Sequence, residues 1–350
     1  MSEELLGRLQ GSIVRFGQEA LIELHDQGYF GRPSAKGLDL SLIEAAYLLD
    51  RSKIKITSDR DELDFKDFIL LSSALEKGFE FKYLVYKDLR ERGYYVQPGR
   101  PDFRIYPRGG HPGKTPAEFY VLVISERMLL PLREAVEAAR LAGQMRKKLM
   151  LAIVDEESDI TFYEAKEKVL SGRMDNKEQG GIATLLEDRV VLWDPEASKR
   201  LHQHGFYGKP VGERLQLSLV ESAYLLDKGF ILLVDRAGAP VDLDGLKERA
   251  RQIEDEFDTK YIVYTDLRDR KMVVKTGFKF GTHFRVYKSV ESAEKVPHSE
   301  YLVHTLPDDY VFVPSVLSRA VRLAHSVRKK MVFAYPDKTV QYLEIKRLRP

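Results

Sequence analysis

The chain has 350 residues, enough to bury at least two hydrophobic cores, and its 43% hydrophobic content is typical of globular proteins. It contains no Cys, which excludes disulfides, thiolate zinc sites and thiol catalysis. Because it has neither a run of about eighteen apolar residues nor a basic-then-apolar leader, we expect a soluble, cytoplasmic protein without a membrane partner.

The formal net charge is only +2, but positive charge is concentrated near the C-terminus. Between positions 322 and 349, eight Lys or Arg are opposed only by Asp337 and Glu344. Such a local excess is typical of a site for a polyanion. A solvated basic surface, with cations at a helix C-terminus, is the competing interpretation, and this pattern alone favours it.

The sequence is a tandem duplication of a unit of about 175 residues, since five segments return in the same order. The offset between matching segments drifts only from 177 to 182. The matching pairs are LHDQGYFGRP (24–33) and LHQHGFYGKP (201–210), LDLSLIEAAYLLDR (38–51) and LQLSLVESAYLLDK (215–228), KYLVYKDLRER (82–92) and KYIVYTDLRDR (260–270), DFRIY (102–106) and HFRVY (283–287), and ARLAGQMRKKLMLA (139–152) and VRLAHSVRKKMVFA (321–334).

The N-terminal half of each copy predicts strands followed by helices. A strand-rich opening leads to the motif LHxxGxxGxP, in which Gly and Pro indicate turns. A helix with apolar residues at helical spacing follows in each copy. Its apolar positions are Leu42, Ala45, Ala46 and Leu49 in the first copy and Leu219, Ala223 and Leu226 in the second. A second helix is predicted at 61–78 and at 242–256.

The C-terminal half of each copy is predicted to be mixed. After a segment around DLRER or DLRDR, short β-branched and aromatic runs predict strands. One long helix, at 129–147 and at 314–329, interrupts them. We therefore predict an α/β (α+β) fold in which each repeat is a small α/β domain followed by a mixed β-α-β domain.

We call the two copies repeat 1 and repeat 2. A polar, Gly-containing stretch at 168–182 is the predicted linker between them. The predicted domains are 1–80 and 81–167 in repeat 1, and 183–258 and 259–350 in repeat 2.

The two repeats differ in chemically important side chains. The sequence VPHSEYLV in repeat 2 carries a His where TPAEFYVLV in repeat 1 carries Ala, and His111 of repeat 1 does not align with it. Taken singly, a Tyr at a strand end, a His before a strand and an RKK run at a helix end are usually structural. The equivalent positions are Tyr106 and Tyr287, Ala117 and His298, and Lys147 and Lys329.

Three segments of repeat 2 resemble the archaeal tRNA-splicing endonuclease (tRNA-intron endonuclease) family: HFRVY (283–287), PHSEYLV (297–303) and VRLAHSVRKK (321–330). The duplicated layout is similar to the form of this family in which one chain holds two repeats and the enzyme is a homodimer. The resemblance implies a nuclease-like C-terminal domain that cuts precursor tRNA at bulge-helix-bulge intron junctions. It also implies a reaction without metal or other cofactor, giving 2′,3′-cyclic phosphate and 5′-hydroxyl ends.

By this resemblance Tyr287, His298 and Lys329 are the catalytic residues, and repeat 1 is a pseudo-catalytic copy. The residue types suit the reaction, since the 2′-hydroxyl of RNA is the nucleophile. Tyr287 would accept its proton if nearby positive charge lowers the pKa of the phenol. His298 would protonate the leaving 5′-oxygen, and Lys329 would stabilise the charge of the phosphorane.

The family also holds a flipped base of the bulge between two arginines. Arg322 corresponds to the first, and Arg347 is our prediction for the second, with Lys346 and Arg349 as close rivals. A planar guanidinium stacks well on an unpaired base.

An acidic loop of the family enters a basic cleft on a neighbouring unit. Asp308 and Asp309 in LPDDY are the predicted loop residues, although such a pair is also common in turns. The corresponding SERM (125–128) of repeat 1 has a single acid. In a two-repeat homodimer the non-catalytic repeat is expected to supply this loop, which leaves open which loop docks.

Two other functions stay open on the sequence. The chain would be a non-catalytic structural or RNA-binding subunit if the Tyr, His and Lys of repeat 2 had no chemical role. It would be a metal-dependent nuclease on a similar scaffold if carboxylates clustered at the site. The acids available in that region have no recognisable metal-binding spacing, and they are Glu291, Glu294, Glu300, Asp308 and Asp309.

Overall fold

The computed structural model describes residues 5–59, 61–174, 180–292 and 296–350. In this part of the chain the duplication predicted from the sequence returns almost element by element, and the fold is mixed α/β as predicted. None of the described helices combines the length and hydropathy needed to cross a bilayer.

The N-terminal domain of repeat 1 is a six-stranded sheet packed against helices. Its strands are β1 (Leu5–Gln10), β2 (Ile13–Phe16), β3 (Arg32–Ser34), β4 (Gly37–Ser41), β5 (Ile54–Ser58) and β6 (Asp61–Leu63), in the order β3-β4-β2-β1-β5-β6. The helices are α1 (Leu42–Asp50) and α2 (Phe65–Leu75), with a short π-helix at Leu21–Asp26. The helix predicted at 61–78 is therefore shorter, because its first residues continue the sheet as β6.

The C-terminal domain of repeat 1 begins with a helix and continues with strands. Its elements are α3 (Phe79–Glu91), β7 (Val96–Pro98), β8 (Phe103–Ile105), β9 (Phe119–Ser125), β10 (Leu130–Pro131), α4 (Leu132–Gln144), β11 (Lys148–Val154) and β12 (Ile160–Glu167).

The N-terminal domain of repeat 2 has five strands in the order β15-β16-β14-β13-β17. Its elements are β13 (Ile182–Leu185), β14 (Val190–Leu192), α5 (Pro195–Gly205), β15 (Lys209–Val211), β16 (Arg214–Leu217), α6 (Leu219–Asp227), β17 (Leu232–Val234) and α7 (Leu243–Arg251).

The C-terminal domain of repeat 2 follows the plan of repeat 1. Its elements are α8 (Phe257–Asp269), β18 (Val273–Thr276), β19 (Phe284–Tyr287), β20 (Tyr301–Thr305), β21 (Val311–Phe312), α9 (Pro314–Ser326), β22 (Lys330–Pro336) and β23 (Val340–Leu348). The predicted long helices are thus shorter at both repeats, and Lys329 lies after α9 rather than on it.

Equivalent hydrogen bonds begin the first helix of each repeat. Ser41 accepts a bond from the backbone N–H of Glu44, whose side chain accepts from Ser41 in return, and Ser218 and Glu221 form the same capping box. Such caps satisfy backbone N–H groups that have no partner inside a helix. Each glutamate also accepts from the backbone of the GxxG turn, at Gly31 (2.9 Å) and Gly208 (3.0 Å).

The C-terminal domains of the two repeats share one ten-stranded sheet. Its order is β18-β19-β20-β22-β23-β12-β11-β9-β8-β7, so the two halves meet where β12 and β23 pair in antiparallel fashion. Ion pairs cross this seam at equivalent positions, from Lys346 to Glu164 (3.1 Å) and from Lys166 to Glu344 (3.4 Å). β10 and β21 pair across the two repeats as well.

The predicted domain boundaries and linker lie close to the ends of helices and strands. The boundaries at 80 and 258 cut two residues into helices that begin at Phe79 and Phe257. The predicted linker ends with the first residue of β13, and its backbone is bonded to repeat 2, for example from the N–H of Gly172 to Arg270 (2.8 Å). Positions 175–179 of this linker lie outside the described residues.

Candidate active site

Three strand ends converge at one edge of the ten-stranded sheet. Tyr287 ends β19, and β20 runs antiparallel to β19, so the first residues of β20 lie at the same edge. β22 is parallel to β20, and its first residues lie there too. His298 comes shortly before β20 and Lys329 immediately before β22. The topology therefore brings all three predicted catalytic residues to one edge.

A groove of about 1120 Å³ lies at this edge, between the two domains of repeat 2. Tyr287, His298 and Lys329 all line it, and residues of the N-terminal domain form its other wall. The site thus depends on both domains of the repeat, whereas the sequence assigned it to the C-terminal domain alone.

The end of α9 directs Lys329 toward the groove. Two backbone bonds close the helix, from Lys329 to Ala324 (2.8 Å) and from Arg328 to His325 (3.0 Å). Between them Arg328 adopts a left-handed conformation with φ of 56°, where Gly is usually found. Arg146 has the same φ in repeat 1, so the turn belongs to the duplicated scaffold and is not peculiar to the groove.

The ammonium of Lys329 is held in place by its neighbours. Its Nζ donates to the carbonyl of Ser299 (2.9 Å), the residue after His298, and lies 5.6 Å from the centre of the Phe280 ring. Burial lowers the pKa of Lys329, and the positive charges of Arg285 and Lys279 lower it further. A weakly solvated cation at a fixed position is well suited to stabilise charge that develops in a reaction.

Tyr287 is 3% exposed and packs in a small apolar cluster with Phe206, Val273 and Val290. Burial raises the pKa of Tyr287, and the cation of Arg285 opposes this without reversing it. Positive charge from Arg285 does act to lower the pKa of this phenol, but desolvation outweighs it in the free protein.

His298 is exposed, whereas Ser299 beside it is 4% exposed. In the described part of the chain the His298 imidazole has no hydrogen-bond partner, so it is accessible to a ligand in the groove. The Ser299 hydroxyl is buried without a partner there, although the carbonyl of Ser299 is bound by Lys329.

Neither predicted arginine lines the groove. Arg347 is exposed near the end of β23, two residues beyond Ile345, which pairs with Met331 of β22. Arg322 is exposed on α9. Lys346 forms an ion pair with Glu164 at the seam (3.1 Å). It is therefore a poorer candidate for the second RNA-binding side chain than Arg349, which is exposed.

The predicted acidic loop has a partner within the chain. Asp308 pairs with Arg133 of repeat 1 (2.8 Å), and both side chains are more than half exposed. Asp309 is exposed in the same turn. A more acidic loop that was not predicted from the sequence is the hairpin between β11 and β12, whose tip (155–159) reads DEESD where repeat 2 has PDKT (336–339).

The tyrosine of repeat 1 that corresponds to Tyr287 is hydrogen-bonded differently. The hydroxyl of Tyr106 donates to Gln97 (2.6 Å) on β7. The residue that corresponds to Gln97 is Lys275 on β18, whose Nζ instead donates to Phe206 (2.8 Å) and Gly208 (2.5 Å) in the N-terminal domain. Consequently the hydroxyl of Tyr287 has no hydrogen-bond partner among the described residues.

The position of His298 is also changed in repeat 1. Glu118 and Glu300 make the same backbone bond, to Ile105 (2.7 Å) and Val286 (3.2 Å). Repeat 1 is one residue shorter here. An alignment that matches the two glutamates pairs His298 with Pro116, and an alignment that matches the preceding prolines pairs His298 with Ala117. Neither count gives a His.

The histidine of repeat 1 that lies nearest in sequence, His111, has a different environment. His111 stacks on Tyr29 with ring centres 4.5 Å apart, and its Nδ1 lies 2.9 Å from the carbonyl oxygen of Pro112. It therefore contributes to packing and does not replace His298.

No group of three or more His, Asp or Glu side chains in the described ranges is arranged to hold a metal ion. Of the carboxylates named for a metal-dependent alternative, Glu294 lies outside the described residues. Among the others, Glu300 lies 3.6 Å from Lys288, and Asp308 pairs with Arg133.

Comparison with known proteins agrees with this layout. The family model for the tRNA intron endonuclease, catalytic C-terminal domain, matches residues 79–162 and 257–342. The model for the tRNA intron endonuclease, N-terminal domain, matches residues 5–69 and 181–247.

Curated proteins named tRNA-splicing endonuclease are similar over nearly the whole chain. That of Methanococcoides burtonii is 53% identical over 337 residues, which cover 95% of this chain and 96% of the relative. That of Methanosarcina barkeri is 52% identical, and that of Halobacterium salinarum is 40% identical, each over 98% of this chain and 99% of the relative. With both family models matched twice and relatives at this identity, the chain belongs to the tRNA intron endonuclease family.

Proposed function

We propose that this chain cuts precursor tRNA at bulge-helix-bulge intron junctions, through attack by a 2′-hydroxyl and without a metal ion. The proposed products carry 2′,3′-cyclic phosphate and 5′-hydroxyl ends. The observation that carries the proposal is the meeting of a phenol, an imidazole and an ammonium in one groove of a chain from this family. The proposed place of the reaction is the cytoplasm.

In the proposed reaction the 2′-oxygen forms a bond to phosphorus, and the bond from phosphorus to the 5′-oxygen breaks. Tyr287, as phenolate, accepts the proton of the 2′-hydroxyl. Because burial raises the pKa of Tyr287, little phenolate exists in the free protein, and Arg285 is the cation that favours it. His298, as imidazolium, gives its proton to the leaving 5′-oxygen.

Lys329 stabilises the negative charge on the phosphorane. Its bond to the carbonyl of Ser299 fixes the ammonium one residue from His298, so little reorganisation is needed when charge develops. Lys329 and the imidazole then face the same scissile phosphate from adjacent chain segments.

Arg322 and Arg347 are the proposed RNA-binding residues, which stack on a flipped base of the bulge. The exposure of both guanidinium groups supports this role, since a base can reach them. Lys346 is less suited because Glu164 already neutralises it.

We further propose that two chains form a homodimer with one catalytic groove in each. A substrate with two bulges requires two sites at a fixed separation, which a two-fold axis provides. Either of two acidic loops could reach the partner's basic groove: Asp308 and Asp309, or the hairpin tip 155–159. The hairpin is favoured because it carries four acids on the non-catalytic repeat, and Glu156, Glu157 and Asp159 are exposed.

Charge reversal distinguishes the two loops. Glu156→Lys with Glu157→Lys should convert the dimer to monomer in sedimentation velocity, and Asp308→Lys with Asp309→Lys should leave it dimeric. The opposite pattern would assign docking to Asp308 and Asp309, and a wild-type monomer would remove the dimer proposal.

The function is tested by incubating the purified chain with a bulge-helix-bulge RNA in EDTA and analysing the product ends. We expect full activity, cyclic phosphate ends, and no cutting when 2′-deoxynucleotides replace the residues at the two cleavage positions. Loss of activity in EDTA would favour the metal-dependent alternative. Binding of the RNA without any cutting would favour the non-catalytic subunit.

A further inference from the structure

A three-residue insertion distinguishes the groove side of repeat 2 from repeat 1. Gly277 bonds to His283 (2.9 Å) as Gly99 bonds to Asp102 (2.9 Å), so these are equivalent ends of two hairpin loops. Five residues separate the ends in repeat 2, and two separate them in repeat 1. The added length therefore belongs only to the repeat that carries the candidate active site.

The insertion forms a single helical turn, and its two aromatic rings differ in solvent exposure. Its 3₁₀ turn spans Phe278–Phe280 and is closed by Gly281 with φ of 62°. Phe280 is half-buried and lies beneath two ammonium groups, those of Lys279 (5.1 Å) and Lys329 (5.6 Å). Phe278 is 89% exposed at the wall of the same groove.

The exposure of Phe278 is the largest of any large hydrophobic side chain in the described part of the chain. An exposed aromatic ring forgoes the stabilisation that burial gives, and a ligand in the groove that covers the ring would supply it. In repeat 1 the shorter loop does without such a residue.

The charge around Phe278 favours a polyanion as that ligand. The groove is lined by seven Lys or Arg and only three Asp or Glu. All three acids are already paired, with Arg189 (2.7 Å), Lys260 (3.0 Å) and Lys275 (3.7 Å). The cations left without a carboxylate partner among the described residues are Lys209, Lys279, Arg285 and Lys329.

We propose that Phe278 stacks on an unpaired nucleobase of the RNA substrate, while Lys279 binds a neighbouring phosphate. This inference rests on the proposed function and adds a substrate contact distinct from the two arginines. Aromatic rings next to cations are the usual platform for single-stranded nucleic acid, because every base offers a flat face and every linkage a charge. A paired helix cannot offer that face, so this contact selects the bulge.

The contact acts on binding more than on chemistry. A base stacked outside the reacting linkage is held equally in the ground state and the transition state, so its loss raises KM and leaves kcat unchanged. Removing one stacking ring weakens RNA binding about 5- to 150-fold.

The test uses Phe278→Ala, Phe278→Leu and Phe278→Trp, with Leu232→Ala as control. Leu232 is 66% exposed on β17 and does not line the groove. Binding is measured on a bulge-helix-bulge RNA with 2′-deoxynucleotides at the cleavage positions and 2-aminopurine in the bulge. KM and kcat are measured separately on the cleavable RNA in EDTA.

We expect Phe278→Ala and Phe278→Leu to weaken binding at least 5-fold with unchanged kcat, and Phe278→Trp and the control to bind as wild type. The 2-aminopurine fluorescence quenched by wild type should recover in the Ala variant. If wild type cuts the RNA but Ala and Leu bind as tightly, the stacking proposal is overturned and the proposed function stands.

Two further outcomes would also overturn the proposal. If Phe278→Ala changed the sedimentation coefficient without changing RNA affinity per dimer, the ring would belong to a protein interface. If wild type neither bound nor cut the RNA, the proposed function would fail and the stacking contact with it.

Discussion

The two repeats share one backbone plan but differ in what they present at the same edge of the sheet. In repeat 1 the hydroxyl of Tyr106 is occupied by Gln97, and His111 stacks on Tyr29. In repeat 2 the residue equivalent to Gln97 is bonded to the N-terminal domain, and Tyr287, although only 3% exposed, lines the groove. A duplicated scaffold can therefore keep its fold while its two copies present different side chains at the same edge.

The repeats also differ in the side chain that accepts a hydrogen bond from one backbone N–H of the sheet. The backbone N–H of Val123 in repeat 1 donates to the carboxylate of Asp102 (2.8 Å). At the equivalent place in repeat 2, the N–H of Thr305 donates to the Nδ1 of His283 (3.0 Å). The sheet needs an acceptor here, and either a carboxylate or a neutral imidazole provides it.

A large difference between the repeats is expected at the paired lysines. Lys329→Ala should lower the single-turnover rate of RNA cutting by about 10²–10³, the range for losing one group that stabilises transition-state charge. Lys147→Ala should cut at the wild-type rate. Equal losses from both variants would show that the lysines serve the scaffold at the helix end.

The next effect is on stability and concerns His283. Burial and the nearby His304 and Lys260 lower the pKa of His283 to about 3, whereas an unfolded chain takes up this proton near pH 6.5. The carboxylate of Glu256 lies 2.9 Å from the Nε2 of His283 and opposes this shift, but it is more than half exposed, so solvent screens its charge. The neutral ring therefore stabilises the fold fully above about pH 6.5, and this contribution is lost as the pH falls toward 3. At pH 5 the loss is about 2 kcal/mol.

His283→Asn, which keeps an acceptor of the kind that Asp102 supplies, should flatten this acid dependence in urea unfolding measured from pH 7 to pH 4. If the slope of unfolding free energy against pH were the same in the variant and in wild type, the neutral His283 would not contribute measurably to stability.

The smallest expected effect on stability is at the paired tyrosines, where stability and activity are predicted to separate. Tyr106→Phe removes the bond to Gln97 and should cost about 0.5–1.5 kcal/mol of unfolding free energy, with no change in cutting. Tyr287→Phe should leave the unfolding free energy unchanged and abolish most of the cutting. Chemical denaturation and single-turnover rates on both variants check this, and a stability loss at Tyr287 with normal cutting would reverse the assignment.

Much of this architecture is predictable from local sequence. The repeated segments predict the helices that follow Ser41 and Ser218, because capping residues and apolar spacing are local signals. The Tyr, His and Lys of repeat 2 are instead identified through the resemblance to a known family, and they line one groove.

Other features depend on contacts that a linear sequence does not contain. The ten-stranded sheet depends on the pairing of β12 with β23, strands separated by more than a domain. The turn at Arg328 has a left-handed conformation without the Gly that usually signals one, so the helix was predicted too long. The pKa of Tyr287 depends on burial against Phe206 of the other domain, which outweighs the charge of Arg285.

The central claim is that each chain has one active site and that it lies in repeat 2. It is tested most directly by the single-turnover rate of bulge-helix-bulge RNA cutting in EDTA for two variants side by side. His298→Ala should cut about 10²–10⁴ slower than wild type, the range for a lost general acid. The combined variant Tyr106→Phe, His111→Ala, Lys147→Ala should cut at the wild-type rate. A normal rate for His298→Ala, or a comparable loss in the combined variant, would contradict the account.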